Sequence, residues 1–199
     1  IKNKNMKYSI RAIFSRAEEV GLLGARLIAK SGRISKNSII VSVETSSELP
    51  GAISGSGPII RTGDRASTFD NTGEIILLSS VRELLKEDKN FKYQRQLMNL
   101  GGCEATAFSA FGYKVTGISL PLINWHNATQ SGGVEPERIS ITDYQNALNM
   151  SVLQLSYFDE NIEFWIINQG SGSIQKKIDF KYPKAVKKVF FPYSKESVY

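Results

Sequence analysis

Two apolar runs flanking a glycine-spaced helical pattern constrain this chain more than any other feature. Residues 7–15 alternate and then run apolar through Tyr8, Ile10, Ala12, Ile13 and Phe14, as a buried strand does. Residues 19–30 place Leu23, Leu27 and Ile28 at helical spacing and stop at the Ser31-Gly32 turn signal. Residues 38–45 form a second near-continuous apolar strand through Ile39, Ile40, Val41 and Val43. Strand, helix and strand at this spacing make a βαβ unit, which requires a parallel sheet with a right-handed crossover.

The remaining pattern extends that architecture. Residues 46–72 are rich in Gly, Ser, Pro and Asp, with a short strand expected at 58–61. A polar loop this long in a compact domain is functional or disordered. Because it follows Glu44, it is expected to line a cleft, with Arg61, Asp64 and Arg65 as candidate substrate-binding residues and an arginine meeting a carboxylate. Residues 73–90 read as a helix with Ile76, Leu77, Val81, Leu84 and Leu85 on one face, and residues 91–98 as a strand. A short helix at 104–111, a strand at 115–120 ended by Pro121, and a helix at 142–157 capped by Thr142 complete the pattern. Phe164, Trp165, Ile166 and Ile167 read as a core or edge strand. The expected class is α/β: a mostly parallel sheet with helices on both faces, in one domain.

Composition narrows the setting. Of the 199 residues only Cys103 is a cysteine, so no intrachain disulfide can form and a cytoplasmic location is expected. Cys103 reads as a small packed residue, not a nucleophile. No apolar run approaches the roughly 18 residues of a membrane span. The net charge of +6 is concentrated in residues 171–199, where seven lysines face only Asp179 and Glu196. Aromatic residues interleave with those lysines, but no nucleic-acid module is recognisable, so a solvated terminus is expected in preference to a nucleic-acid site. The chain opens on Ile1 close to strand-like sequence, which suggests a fragment of something longer.

In parallel α/β sheets chemistry gathers beyond the carboxyl ends of the strands. The first strand leads into Glu18 and Glu19, the second delivers Glu44, and the strand at 115–120 leads to His126, the only histidine. Each has an ordinary reading alone. His126 fits a loop, Glu44 a surface, and the Glu18-Glu19 pair the start of a helix, which favours negative charge. Together at strand ends they form a carboxylate and imidazole set suited to zinc or a related divalent ion. Adjacent glutamates allow one to ligate metal. The other then takes a proton from metal-bound water, whose pKa the ion lowers toward about 7.

The same residues carry a family resemblance. Ala-Glu-Glu-Val-Gly-Leu-Leu-Gly-Ala at 17–25 resembles the Glu-Glu-Val-Gly-x-x-Gly-Ala signature of the co-catalytic zinc aminopeptidases of the glutamyl and tetrahedral type. More distantly it is similar to the aminoacylase and carboxypeptidase relatives. Ile-Ser-Leu-Pro-Leu-Ile-Asn-Trp-His at 118–126 is similar to their late strand and last histidine ligand. Gly-Cys-Glu-Ala-Thr-Ala at 102–107 sits where they carry a Gly-Thr-Asp-Ala-like turn. The resemblance covers about residues 7–158.

It implies that Glu18 is the general base, Glu19 a ligand of one metal, Glu44 a ligand of the other, and His126 the last ligand. The implied cofactor is a pair of zinc ions in the complete enzyme, with cobalt or manganese as substitutes. The implied activity is metal-dependent removal of terminal residues from peptides by a homo-oligomeric enzyme.

The family also needs an early histidine and a bridging aspartate before the Glu-Glu pair, yet this chain has no other histidine and no aspartate before Asp64. Residues 1–160 are therefore expected to be the C-terminal part of a zinc-exopeptidase-like catalytic domain whose first strands are missing. Residues 161–199 would be its basic, aromatic extension. The alternative is a non-catalytic remnant, or one fragment of a split metallopeptidase whose partner is the missing N-terminal half.

Overall fold

The computed structural model describes residues 10–154 and 164–169. The expected strand start at 7–9, the helix end at 155–157 and the lysine-rich extension at 170–199 lie outside the described residues.

Seven strands form one sheet: β1 (Ile10–Ser15), β2 (Ile39–Ser47), β3 (Ile59–Asp64), β4 (Gln94–Met98), β5 (Lys114–Ile123), β6 (Arg138–Ile139) and β7 (Phe164–Gln169). The order is β1-β7-β2-β5-β3-β4, with β6 paired to β5. The pairs β1/β7, β7/β2, β2/β5 and β3/β4 are parallel, whereas β3 and β6 run antiparallel to β5. The sheet is thus mostly parallel, as expected. One detail differs: β1 and β2 are not neighbours, because β7 lies between them. Their register is set by a strand more than a hundred residues away in sequence, which local periodicity does not report.

Alternation in β2 and β5 divides the helices between two faces. Ile39, Val41, Ile60, Ile118 and Leu120 pack against α2 (Asn71–Glu87) and α4 (Ile141–Gln154). Ile40 and Val115 face α1 (Leu23–Lys30) and α3 (Glu104–Ser109) across a layer of Ala25, Ala29, Ala107 and Phe108. Asp70 caps α2 by accepting from the Thr72 N–H. The close seating of α2 on β5 depends on Gly73, where a Cβ would fall 2.7 Å from the Thr116 Cβ.

Several boundaries move for physical reasons. The first helix begins at Leu23, not at 19, because Gly21 (φ 102°) and Leu22 (φ 59°) adopt left-handed backbone. β3 runs on to Asp64, beyond the expected 58–61. β5 continues through Pro121, which falls between the stretch paired to β3 and the stretch paired to β6, where a missing donor is tolerated.

The expected burial of the β1–α1 unit is corrected. Phe14 is 71% exposed, and the apolar residues Leu23 and Leu27 are 48% and 68% exposed, while the small Ala25 and Ala29 face the core. Helical spacing identifies an apolar stripe but not what covers it.

Candidate active site

The loop after β1 is shaped by its glycines. The carbonyl of Glu18 accepts from the N–H groups of Gly21 (3.0 Å) and Leu22 (2.8 Å). The N–H groups of Leu23 and Gly24 return to the Ala17 and Arg16 carbonyls. A Cβ at Gly24 would lie 2.5 Å from the Arg16 carbonyl oxygen, so only glycine lets α1 fold back this tightly. Glu18 and Glu19 therefore occupy a turn ahead of α1, not its first turn. Glu18 is half-buried and Glu19 exposed.

Along one face of β2 the side chains change from Ile40 to Ser42, Glu44 and Ser46, so an apolar core becomes a polar wall along a single strand. Glu44 is an inner residue of β2, not one that follows it. His126 lies just past β5 in an unusual stretch, since Asn124, His126 and Asn127 all have φ near +60° (58°, 57° and 61°). Non-glycine residues in this region concentrate at functional sites. The His126 backbone N–H donates to Glu137 at 2.8 Å, and its ring stacks on Trp125 at 4.1 Å between centroids.

These residues share one cleft of about 380 Å3, lined by Glu18, Glu19, Glu44, Arg61 and His126 together with the end of β4. The ends of β1, β2 and β5 meet there because these strands run parallel through β7. Asp64 and Arg65 are not brought to the cleft. They lie at the carboxyl end of β3, where Asp64 pairs with Met98 and the Arg65 N–H donates to the Gly101 carbonyl, so they adjoin cleft-lining residues without lining the cleft themselves. Arg65 is exposed. Asp64 accepts from the N–H groups of Ala66, Ser67 and Cys103 and from the Thr106 hydroxyl, joining β3 to α3. A larger hollow of about 510 Å3 surrounds the Glu74–Arg95 ion pair and contains none of the candidate residues.

Arg61 reaches the cleft by crossing a strand. It lies on β3 directly opposite Gly117 of β5, which in turn is opposite Ser42 of β2. A Cβ at Gly117 would meet the Arg61 Cδ at 3.2 Å, so the glycine is the gap the side chain passes over. Its guanidinium forms an ion pair with Glu44, with side-chain exposures of only 3% and 8%. Ser46 completes the cluster: it accepts from Arg61 at 3.1 Å and from Ser119 at 2.7 Å, and donates to Glu44 at 3.3 Å.

Whether these donors suit a metal is a question of convergence. Among the described residues no three His, Cys, Asp or Glu side chains stand close enough together to hold one ion. Glu44 already has a cationic partner. The chain's own donors share a cleft without composing a complete metal site.

Sequence reasoning missed Glu104 and Asp143. Glu104 is buried and accepts from the Ser15 hydroxyl at 2.8 Å, tying α3 to the end of β1 three residues before Glu18. Asp143, also buried, accepts from the N–H groups of Gly55 and Gly57 and pins the long loop. A buried carboxylate at a helix start beside a glycine-rich segment is a signal for both, but it becomes visible only once the partner is known. Cys103 is fully buried, and that burial pushes its thiol pKa up, with Arg61 pulling the other way. Native chain is therefore expected to resist iodoacetamide at pH 7.5 and to react only after unfolding. Rapid native alkylation, read by mass spectrometry, would count against this packing.

Comparison with known proteins places this geometry. The family model described as M42 glutamyl aminopeptidase matches residues 1–150. No curated protein matches the chain. Among solved structures, a TET aminopeptidase from the marine sediment archaeon Thaumarchaeota archaeon SCGC AB-539-E09 is similar, with a TM-score of 0.55 and 21% identity over 71% of this chain and 38% of that one. The Pyrococcus horikoshii TET1 peptidase, which can assemble into a tetrahedron or a large octahedral shell, gives 0.53 and 21% over 70% and 38%. An aminopeptidase from Desulfurococcus kamchatkensis gives 0.52 and 23% over 70% and 39%. The likeness is one of fold, and the chain spans about two fifths of the length of these structures, at 38–39%.

Proposed function

The chain belongs to the M42 glutamyl aminopeptidase family, and from that premise we propose that it is the C-terminal part of an aminopeptidase catalytic domain. Residues 1–160 form that part, and 161–199 its extension within the same domain, which contributes β7 to the sheet between β1 and β2. The reading is supported above all by the one cleft that gathers Glu18, Glu19, Glu44 and His126. In it Glu18 serves as the general base of peptide hydrolysis, while Glu19, Glu44 and His126 are this chain's share of the ligands for a divalent metal, zinc by preference. The remaining ligands come from the part of the fold this chain does not carry. The substrate is a peptide. The complete enzyme is a homo-oligomer, by analogy with the assembling TET1 peptidase. Among the described residues no helix is long and apolar enough to cross a membrane. A cytoplasmic location is proposed from the lone, buried Cys103 thiol.

Calorimetric zinc titration of the 199-residue chain tests the cleft. Weak binding is expected, diminished roughly tenfold by Glu19→Gln or by His126→Ala. Indifference to both replacements removes the cleft as the metal locus.

A second reading, one piece of a split enzyme, is favoured by the exposed Val20, Leu23 and Leu27 beside β1, an edge strand among the described residues. Apolar groups so placed suit a further polypeptide segment packing on that edge. Two tight zinc sites in the isolated chain would overturn this reading, because the chain would then need no partner.

A further inference from the structure

The cleft carries its own cation, and it sits on the carboxylate that the family resemblance assigns to a metal. We propose that Arg61 competes with a divalent cation for Glu44, so that metal can load at Glu44 only when the guanidinium gives way. The inference rests on the reading of the cleft as this chain's share of a metal site.

The geometry is set by strand register. Arg61, Gly117 and Ser42 lie in one row across β3, β5 and β2, and Glu44 is two residues further along β2 on the same face. An arginine is long enough to span β5 only because Gly117 leaves the path open. Once there it is buried, and its Nε has no hydrogen-bond partner, so the ion pair with Glu44 is its principal compensation for losing water. Both the ion pair and the Ser46 hydrogen bond fall on Oε1 of Glu44. The Ser46 hydroxyl is itself saturated, with two donors arriving and one bond leaving. The guanidinium and the Ser46 hydroxyl thus hold one oxygen of Glu44 without any ion.

A guanidinium, unlike a lysine ammonium, cannot shed its proton to make room. A divalent ion approaching the same carboxylate therefore meets a fixed positive charge at short range in a poorly screened setting. That repulsion acts on this chain's own affinity, whatever the missing ligands contribute.

A double-mutant cycle on the full 199-residue chain, read by zinc calorimetry, tests the idea. Glu44→Gln alone removes a ligand and the guanidinium's partner together, so the readout is the coupling between the two positions and not that single variant. Arg61→Met, which keeps the aliphatic stem over Gly117, is expected to tighten zinc roughly tenfold or more, and adding Glu44→Gln should abolish the gain. Where circular dichroism shows that Arg61→Met does not fold, Arg61→Gln replaces it, a shorter neutral side chain whose amide ends over Gly117.

A gain from Arg61→Met that survives the addition of Glu44→Gln would mean that the guanidinium does not compete at Glu44, and would overturn the proposal. A folded Arg61 variant that binds zinc no more tightly than wild type overturns it too, including when neither binds. The underlying reading fails separately: if Glu19→Gln and His126→Ala do not weaken zinc binding in the Arg61 variant, the cleft is not the metal locus. If they do and Arg61 has no effect, only the competition is wrong.

Discussion

In a protein that joins this chain to the rest of the aminopeptidase fold, replacing Glu18 by glutamine is expected to lower kcat by about a hundredfold to ten-thousandfold, the usual contribution of a general base. Metal content should not change. The amide matches the carboxylate in shape but cannot take a proton from attacking water. The turn is held through backbone bonds from Gly21 and Leu22 to the Glu18 carbonyl and from Gly24 to Arg16, none of which uses the side chain under test. Hydrolysis of an aminoacyl p-nitroanilide, measured beside elemental zinc analysis, separates the possibilities. Undiminished activity rejects Glu18 as the base, and loss of metal with activity makes it a ligand instead.

Replacing Asp64 by alanine is expected to destabilise the chain by about 2 to 3 kcal/mol, because a buried donor left without an acceptor costs about 1 to 3 kcal/mol while part-buried donors recover water. Asp64 is 4% exposed. Its Oδ1 accepts from Ala66 (2.9 Å) and Ser67 (3.0 Å), and its Oδ2 from Cys103 (3.1 Å) and the Thr106 hydroxyl. Alanine strands the buried Cys103 N–H and releases the part-buried Ala66, Ser67 and Thr106 donors at the junction of β3 and α3. Asparagine keeps one acceptor and should cost about half as much. Urea denaturation reads the difference as a lower midpoint at unchanged slope. A substrate-contacting role predicts the opposite pattern, with normal stability and a raised KM in the assembled enzyme.

The contrast between Glu18 and Asp64 shows where sequence reading holds. Both are carboxylates near a strand end, and both were candidates for the site. Glu18 follows a strand whose direction is shared by β7, β2 and β5, so the rule that chemistry gathers at carboxyl ends carries it to the cleft. Asp64 ends β3, which is antiparallel to β5. It adjoins the cleft-lining end of β4, but its carboxylate is taken up by the Ala66, Ser67 and Cys103 N–H groups and the Thr106 hydroxyl, a role that only its neighbours reveal. Arg61, on that same strand, reaches the cleft from its middle, by crossing β5.

What the amino-acid sequence determined by itself is the local part: alternating strands and helical stripes. Each follows from periods and steric rules acting over a few residues. Tertiary structure decided the rest. It inserted β7 between β1 and β2, reversed β3, left Leu23 and Leu27 uncovered, and laid Arg61 over Gly117 onto Glu44. Those outcomes depend on which distant strands pair and in what register. A one-residue shift would turn Arg61 and Glu44 to the other face, so their meeting is a property of the assembled sheet and of no single stretch within it.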